Sequence, residues 1–141
     1  MQTRRRSMLL LVPLLICPAV EGCRRSAAPA SVAATNSMLE CAVRDLLGEA
    51  APVLRLAEPG MCPGHFDIRP SQVEALRRCR LLVRLDFQQS LDRRLAGAVG
   101  DGLTIAEVRP GGGLCEPDSY LTACRQTADA LVAAGLLDRA R

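Results

Sequence analysis

The feature that most constrains the fold is a fourfold alternation of short apolar runs with amphipathic segments along the chain. The apolar runs, each of five or six residues, predict strands at 31–35, 52–57, 80–85 and 103–108. The segments between and after them predict helices at 37–48, 71–79, 88–99 and 118–135. Alternating βα units of this size favour a parallel sheet with right-handed crossovers. We therefore expect an α/β fold, a single lobe with a four-stranded parallel sheet flanked by helices.

Capping residues and apolar spacing refine the predicted helices. Ser37 with Glu40, and Ser71 with Glu74, have the spacing of capping boxes at the starts of two helices. In the last predicted helix, the apolar or small residues that fall on one face are Leu121, Cys124, Ala128, Leu131 and Gly135. We expect that face to pack on the sheet.

Residues 1–23 have the pattern of an export signal. Arginines precede an apolar run of 13 residues, which is too short to span a bilayer comfortably. The segment from Val20 to Cys23 resembles the lipobox of bacterial lipoproteins, in which the cysteine is acylated. We expect lipidation at Cys23, a short tether at 24–30, and a periplasmic or cell-surface lipoprotein held to the membrane by its lipid. A simple secreted or retained signal, and twin-arginine export, are the alternatives.

Composition excludes some functions and limits the thiols. The net charge is +3, but five arginines lie within the first 25 residues, and no basic stripe with interleaved aromatic residues indicates nucleic-acid binding. Of seven cysteines, five remain if Cys17 is cleaved off and Cys23 is lipidated. Three of these, Cys41, Cys79 and Cys124, fall on apolar faces, which predicts small core residues.

Two long polar loops, 58–69 and 109–117, follow the second and fourth predicted strands. In a parallel sheet all such loops emerge at the carboxyl ends of the strands, where ligands bind. The first loop carries Cys62 and the chain's single histidine, His65, and the second leads from Cys115 to Asp118. Imidazole, thiols and carboxylates in facing loops predict half of a metal site.

These loops carry a family resemblance. The segment "PGMCPGHFDIRP", followed by "SQVEALRRCRLLVRL", resembles the P-G-x-D-P-H-x-F-E-x-x-P loop and "ALxxADLVV" segment of the zinc/manganese-type substrate-binding proteins of bacterial ABC importers. "EPDSYL" and "ADALVAAGLLDRA" take the places of that family's "DPHxWLDP" loop and the end of its helix. The resemblance covers about residues 31–139. Family members have two lobes with the metal between them, and this chain is similar to the N-terminal lobe alone, with the C-terminal lobe absent from residues 31–141.

The resemblance implies a metal site and partners. The family's first ligand histidine aligns with Gly64, one residue before His65, and its second aligns with Asp118. His65 and Asp118 are therefore the expected ligands of zinc or, alternatively, manganese. Cys62 and Cys115 are either further thiolate ligands or a disulfide that joins the loops. The implied partners are the divalent ion, the membrane subunit of an ABC importer, and a second chain that supplies the missing lobe.

The residues alone are compatible with several other interpretations of these residues and of the chain. His65 is alternatively a loop histidine bonded to backbone carbonyls, and Asp118 is alternatively the N-cap of the last helix. The chain is alternatively a truncated or degenerate lobe that acts as an interaction module. A thiol redox protein using Cys62 is a further candidate, since His65 follows in a C-x-x-H spacing. No nucleophile, base and orienting group come together in the sequence, so we do not expect an enzyme.

Overall fold

The computed structural model of the protein describes residues 30–138. The strands are β1 (Val32–Ala34), β2 (Val53–Arg55), β3 (Leu81–Leu85) and β4 (Thr104–Val108). The helices are α1 (Ser37–Leu47), α2 (Pro70–Leu76), α3 (Ser90–Leu95) and α4 (Pro117–Ala133), and a 3₁₀ turn covers Asp86–Gln88. The predicted signal, Cys23 and residues 24–29 of the predicted tether lie outside the described residues.

The strands form one parallel sheet in the order β2-β1-β3-β4. This confirms the predicted α/β lobe with a four-stranded parallel sheet. Within residues 30–138, no helix is both long and apolar enough to cross a membrane.

Alternate strand residues face opposite layers, as the period of two in a strand requires. Val32 and Ala34 of β1, with Val83 of β3, face a core that includes residues of α1 and α4. Ala33 of β1 and Leu82 of β3 face a second core that includes residues of α2 and α3. The fold thus has three layers, with two helices on each face of the sheet.

Both predicted capping boxes are wrong. Helix α1 is capped by Asn36, whose side chain accepts a hydrogen bond from the Leu39 backbone nitrogen at 3.0 Å. Glu40 is instead bonded to Arg44 and Arg55. An asparagine is as good an N-cap as a serine, so the choice between neighbouring residues 36 and 37 depends on backbone geometry that the sequence does not show.

The start of α2 differs from the prediction in the same way. This helix begins at Pro70, and its N-cap residue is Arg69. The side chain of Gln72 accepts a hydrogen bond from the Arg69 backbone nitrogen at 3.0 Å. Glu74, the predicted partner of Ser71, pairs with Arg77 on the exposed surface. Proline is favoured at the first helical position because it has no backbone N–H to leave unsatisfied.

The buried face of α4 is also different from the prediction. Its buried residues are Ser119, Ala123, Thr127 and Leu131, at a spacing of four, whereas Leu121 is 51% exposed. Tyr120 donates a hydrogen bond to Asp45 of α1 at 2.6 Å, so the two helices lie side by side. Small side chains on the buried face allow this close packing.

The predicted core cysteines divide three ways. Cys79 is buried as expected, Cys124 is half-buried, and Cys41 is exposed.

The third helix is shorter than the predicted 88–99, because α3 ends at Leu95. Gly97, just after it, has a φ of +79°, a left-handed conformation that glycine tolerates.

Candidate functional site

The two long loops lie at the same end of the sheet but at opposite sides of it. One follows β2 and the other follows β4, and these are the two edge strands. Three inter-strand spacings separate them, which is about 14 Å at the usual 4.7–4.9 Å per strand. The prediction that both loops lie at the carboxyl end is confirmed, and β1 and β3 separate them there.

Cys62 and His65 are the two predicted site residues that the structure brings together. The segment Cys62–His65 is a tight turn, in which the His65 backbone nitrogen donates to the Cys62 carbonyl oxygen at 3.0 Å. The turn brings the two side chains together, with Cys62 Sγ 3.7 Å from His65 Nδ1. Both residues are exposed, so thiol and imidazole face solvent as an adjacent pair.

His65 also changes the acidity of the neighbouring thiol. The pKa of Cys62 is lowered, chiefly by the hydrogen bond with the His65 side chain and next by a backbone hydrogen bond from Gly64. Hydrogen bonds to a charged form favour that form, so Cys62 loses its proton to form a thiolate more readily than an ordinary cysteine does.

His65 lines a cleft of about 580 Å³ between the β2–α2 loop and α2. Two carboxylates and two guanidinium groups also line it, and they pair with each other. Glu58 lies 3.4 Å from Arg69, and Asp67 lies 2.9 Å from Arg94. The two negative and two positive charges cancel, so neither carboxylate adds net negative charge beside His65.

Asp118 and Cys115 lie elsewhere. Asp118 is the second residue of α4, and Glu116 occupies the N-cap position, so the alternative role of Asp118 as N-cap is wrong. Asp118 lines a separate cleft of about 220 Å³ that shares no lining residue with the cleft at His65. Cys115 and Cys62 are both exposed free thiols. Among residues 30–138, no group of three or more His, Cys, Asp or Glu side chains is arranged to hold a metal ion.

A buried glutamine that no sequence motif singles out supports the Cys62–His65 turn. Gln88 Oε1 accepts hydrogen bonds from the Thr35 hydroxyl at 2.7 Å and the Leu85 backbone nitrogen at 2.8 Å. Its Nε2 donates to the carbonyl oxygen of Pro63 at 2.5 Å. Thr35 and Gln88 follow β1 and β3, between which the strand order reverses, and that crevice is the usual ligand position in such sheets. No pattern in the sequence indicates this role, because Gln88 lies at the start of the predicted helix 88–99, where a polar residue is ordinary.

Exposed apolar side chains also gather at this end of the molecule. Within the described residues, the exposed large hydrophobic side chains are Met61, Phe87 and Leu121. Met61 precedes the turn, and a Cβ placed on Gly64 would lie 3.9 Å from the Phe87 ring. Phe87 therefore lies against the turn, with 55% of its surface exposed.

Comparison with known proteins identifies the fold. No protein-family model and no curated protein matches the chain. Among solved structures, a manganese-bound periplasmic metal binding protein from Candidatus Liberibacter asiaticus matches with a TM-score of 0.60 and 14% identity, over 74% of this chain and 46% of that one. A manganese-bound variant of that protein matches with a TM-score of 0.61 and 13% identity, over 74% of this chain and 45% of that one.

A third similar structure is Zn(II)-bound AdcA from Streptococcus pneumoniae, with a TM-score of 0.56, 14% identity, and coverage of 76% of this chain and 26% of that one. At these identities the likeness shows the fold. The described residues have the fold of one lobe of the metal-binding solute-binding proteins. The chain spans less than half the length of each of these three solved structures.

Proposed function

We propose that this protein binds a divalent transition metal ion, zinc first, through Cys62 and His65. The observation that carries the proposal is the 3.7 Å separation of Cys62 Sγ and His65 Nδ1 in an exposed turn. Two ligands at usual Zn–S and Zn–N bond lengths and a tetrahedral angle lie about 3.6 Å apart. The turn therefore presents a sulfur and a nitrogen at the spacing that one zinc ion requires.

The donor types favour zinc over manganese. A thiolate and an imidazole suit zinc, whereas manganese prefers carboxylate, carbonyl and water oxygens. The two carboxylates that line the cleft beside His65, Glu58 and Asp67, are already paired with arginines. Manganese, which is bound in two of the three similar solved structures, is the alternative cargo.

The fold supports a role in metal transport. The similar structures are a manganese-bound periplasmic metal binding protein and Zn(II)-bound AdcA. We propose further that this chain is an exported binding protein anchored by a lipid at Cys23. In this proposal it delivers its ion to the membrane subunit of an ABC importer. The ion is cargo in this proposal, and the protein is not an enzyme.

Zinc titration by calorimetry into the reduced full chain tests the proposal. We expect binding in the wild type, and a loss of roughly 100-fold or more in affinity in both His65→Ala and Cys62→Ser, since loss of a direct ligand costs more than loss of an outer-shell partner. Cys115→Ser is the matched control, because it removes an exposed thiol from the other loop. Equal affinity in wild type and His65→Ala would contradict the proposal.

Asp118 is tested in the same experiment. The resemblance makes it a ligand, and it lies after β4 at the opposite edge of the sheet from the loop of His65. If Asp118→Ala lowers zinc affinity as much as His65→Ala, the two edge loops close on one ion. If Asp118→Ala binds zinc normally, the Cys62–His65 turn holds the ion without it.

A thiol redox role for Cys62 is the second candidate, supported by its exposure and its contact with His65. Redox C-x-x-C motifs open a helix directly after a strand, whereas α2 begins at Pro70, five residues after His65. Zinc binding that requires His65 favours the metal role, and catalysed disulfide exchange without zinc binding favours the redox role.

A further inference from the structure

The turn supplies two donors, which is half of what a protein zinc site usually contains. Protein-bound zinc without an open catalytic position is four-coordinate and tetrahedral. Residues 30–138 hold no group of three or more metal-binding side chains, so the Cys62–His65 pair has no third ligand beside it in the described part of one chain. Two positions on a zinc ion held by this turn are therefore left for other donors.

We infer that a second copy of this chain fills those positions, so that one zinc ion is held between two chains by Cys62 and His65 from each. This inference rests on the proposed function and adds a partner and a stoichiometry to it. The resulting ligand set is two sulfurs and two nitrogens, a combination typical of structural zinc sites. Two identical pairs related by a twofold axis complete a tetrahedron, and a twofold dimer is the commonest symmetric assembly.

The position of the turn allows two copies to approach. Cys62 and His65 are both exposed, and their loop follows β2, which lies at one edge of the sheet. A metal site at the edge of a molecule can be shared without a collision of the two sheets. A pair of ligands buried at the centre of the sheet could not be shared in this way.

Apolar side chains border the turn where a second copy would contact it. Met61 is 43% exposed beside Cys62, and Phe87 is 55% exposed against the turn at Gly64. Large exposed apolar groups are typical of association surfaces when they cluster at one place. Two of the three large hydrophobic side chains exposed on residues 30–138 thus lie next to the two ligands.

Charge does not oppose this contact. The cleft beside His65 carries Glu58 and Asp67 against Arg69 and Arg94, so its formal charge is zero. Two copies of a strongly charged surface would repel each other on approach. The charges of this cleft balance, so we expect self-association to depend on the metal and the apolar side chains.

Native mass spectrometry of the reduced full chain, with and without added zinc, tests the inference. We expect monomers without zinc, and with zinc a dimer that carries one ion per two chains. Cys62→Ser and His65→Ala should abolish the zinc-dependent dimer, and Cys115→Ser, which removes an exposed thiol elsewhere, should keep it. Cobalt(II) in place of zinc should show the absorption of tetrahedral coordination by two thiolates, which only the dimer can supply from Cys62.

The other outcomes separate this inference from the proposed function. Zinc bound one per monomer, and lost in His65→Ala, overturns the dimer and leaves the metal-binding proposal standing. A zinc-dependent dimer that survives Cys62→Ser but is lost in Cys115→Ser overturns the inference, because other thiols then hold the ion. Absence of zinc binding in every form overturns both.

Discussion

Gln88 donates a hydrogen bond from Nε2 to the carbonyl oxygen of Pro63, 2.5 Å away, and so fixes the turn that carries Cys62 and His65. The same side chain accepts from the Thr35 hydroxyl at 2.7 Å. A single buried amide therefore joins the carboxyl ends of the two central strands to the candidate ligands. This makes Gln88 a positioning residue for the proposed metal site.

Replacement of this glutamine should weaken both folding and zinc binding. Gln88→Ala leaves the Thr35 hydroxyl and the Leu85 nitrogen without their partner, at a cost of about 1–3 kcal/mol in the free energy of unfolding. The freed turn must then be ordered when zinc binds, and we expect a loss of about tenfold in affinity, or about 1.4 kcal/mol. Urea denaturation and zinc calorimetry measure the two effects.

Gln126→Ala is the matched control for Gln88→Ala. Gln126 likewise bonds to backbone through its side-chain amide, with two hydrogen bonds to the backbone nitrogen and oxygen of Arg109, at 2.7 and 2.9 Å. It lies on α4, away from the Cys62–His65 turn, so its loss should lower stability without changing zinc affinity. Equal zinc affinity in both variants would show that Gln88 does not position the turn.

The reactivity of Cys62 should depend on pH through His65. The pKa of Cys62 is lowered chiefly by the His65 hydrogen bond, so its thiolate forms at lower pH than that of an ordinary thiol. In chelator-treated wild-type protein, alkylation of Cys62 by iodoacetamide should therefore begin at lower pH than in His65→Ala. Mass spectrometry of the peptide that contains Cys62 gives the rate at each pH.

Met61→Ala is the control for this pH profile. It changes a neighbour of Cys62 that has no titratable group, so its profile should match that of the wild type. Superimposable profiles for wild type and His65→Ala would mean that the imidazole does not stabilise the thiolate in solution.

The N-terminus of α1 offers a comparison between adjacent residues. Asn36 caps the helix through its side chain, while Ser37, which the sequence pattern favoured, is exposed and already helical. Asn36→Ala should lower the free energy of unfolding by about 1 kcal/mol. Ser37→Ala should change it by less than about 0.5 kcal/mol, as is usual for surface positions. Chemical denaturation of both variants tests this, and a larger loss in Ser37→Ala would restore the predicted cap.

Element order and sheet type could be predicted from the sequence, because alternating apolar runs and helical patterns restrict the layers a chain can form. Strand order could not. Four βα units are compatible with several orders, and only the structure places β2 and β4 at opposite edges. That order separates His65 from Asp118, although the sequence correctly placed both loops at the carboxyl end of the sheet.

Local contacts explain the rest of what the sequence could not show. The Cys62–His65 pair was visible as a spacing of three residues, but the backbone bond from His65 to Cys62 that brings the side chains together was not. In α4, hydrophobicity favoured Leu121, whereas helix–helix packing buried the small Ser119 and Ala123. The distance between the packed helices determines which face of α4 is buried, and a single sequence does not reveal that distance.

Replacement of the buried Arg84 should lower the stability of the lobe. Arg84 is 7% exposed at its side chain and binds Asp92 through two hydrogen bonds of 2.7 and 2.6 Å, and Glu107 through one of 3.0 Å. Arg84→Met leaves both carboxylates without this partner. We expect a loss of about 3 kcal/mol in the free energy of unfolding, at the low end for a buried pair because both carboxylates keep some contact with water. Urea denaturation measures it.

The exposed Arg93 on α3 is the control, because Arg93→Met makes the same chemical change where burial is absent and should cost less than about 0.5 kcal/mol. A triple change of Arg84, Asp92 and Glu107 to apolar residues should recover most of the loss, since it leaves no carboxylate without a partner. If Arg84→Met is as stable as Arg93→Met, the desolvation of the arginine cancels the gain from its hydrogen bonds to the two carboxylates. If the triple variant is no more stable than Arg84→Met, the ion cluster determines the packing of α3 against β3 and β4, and its replacement by apolar contacts fails.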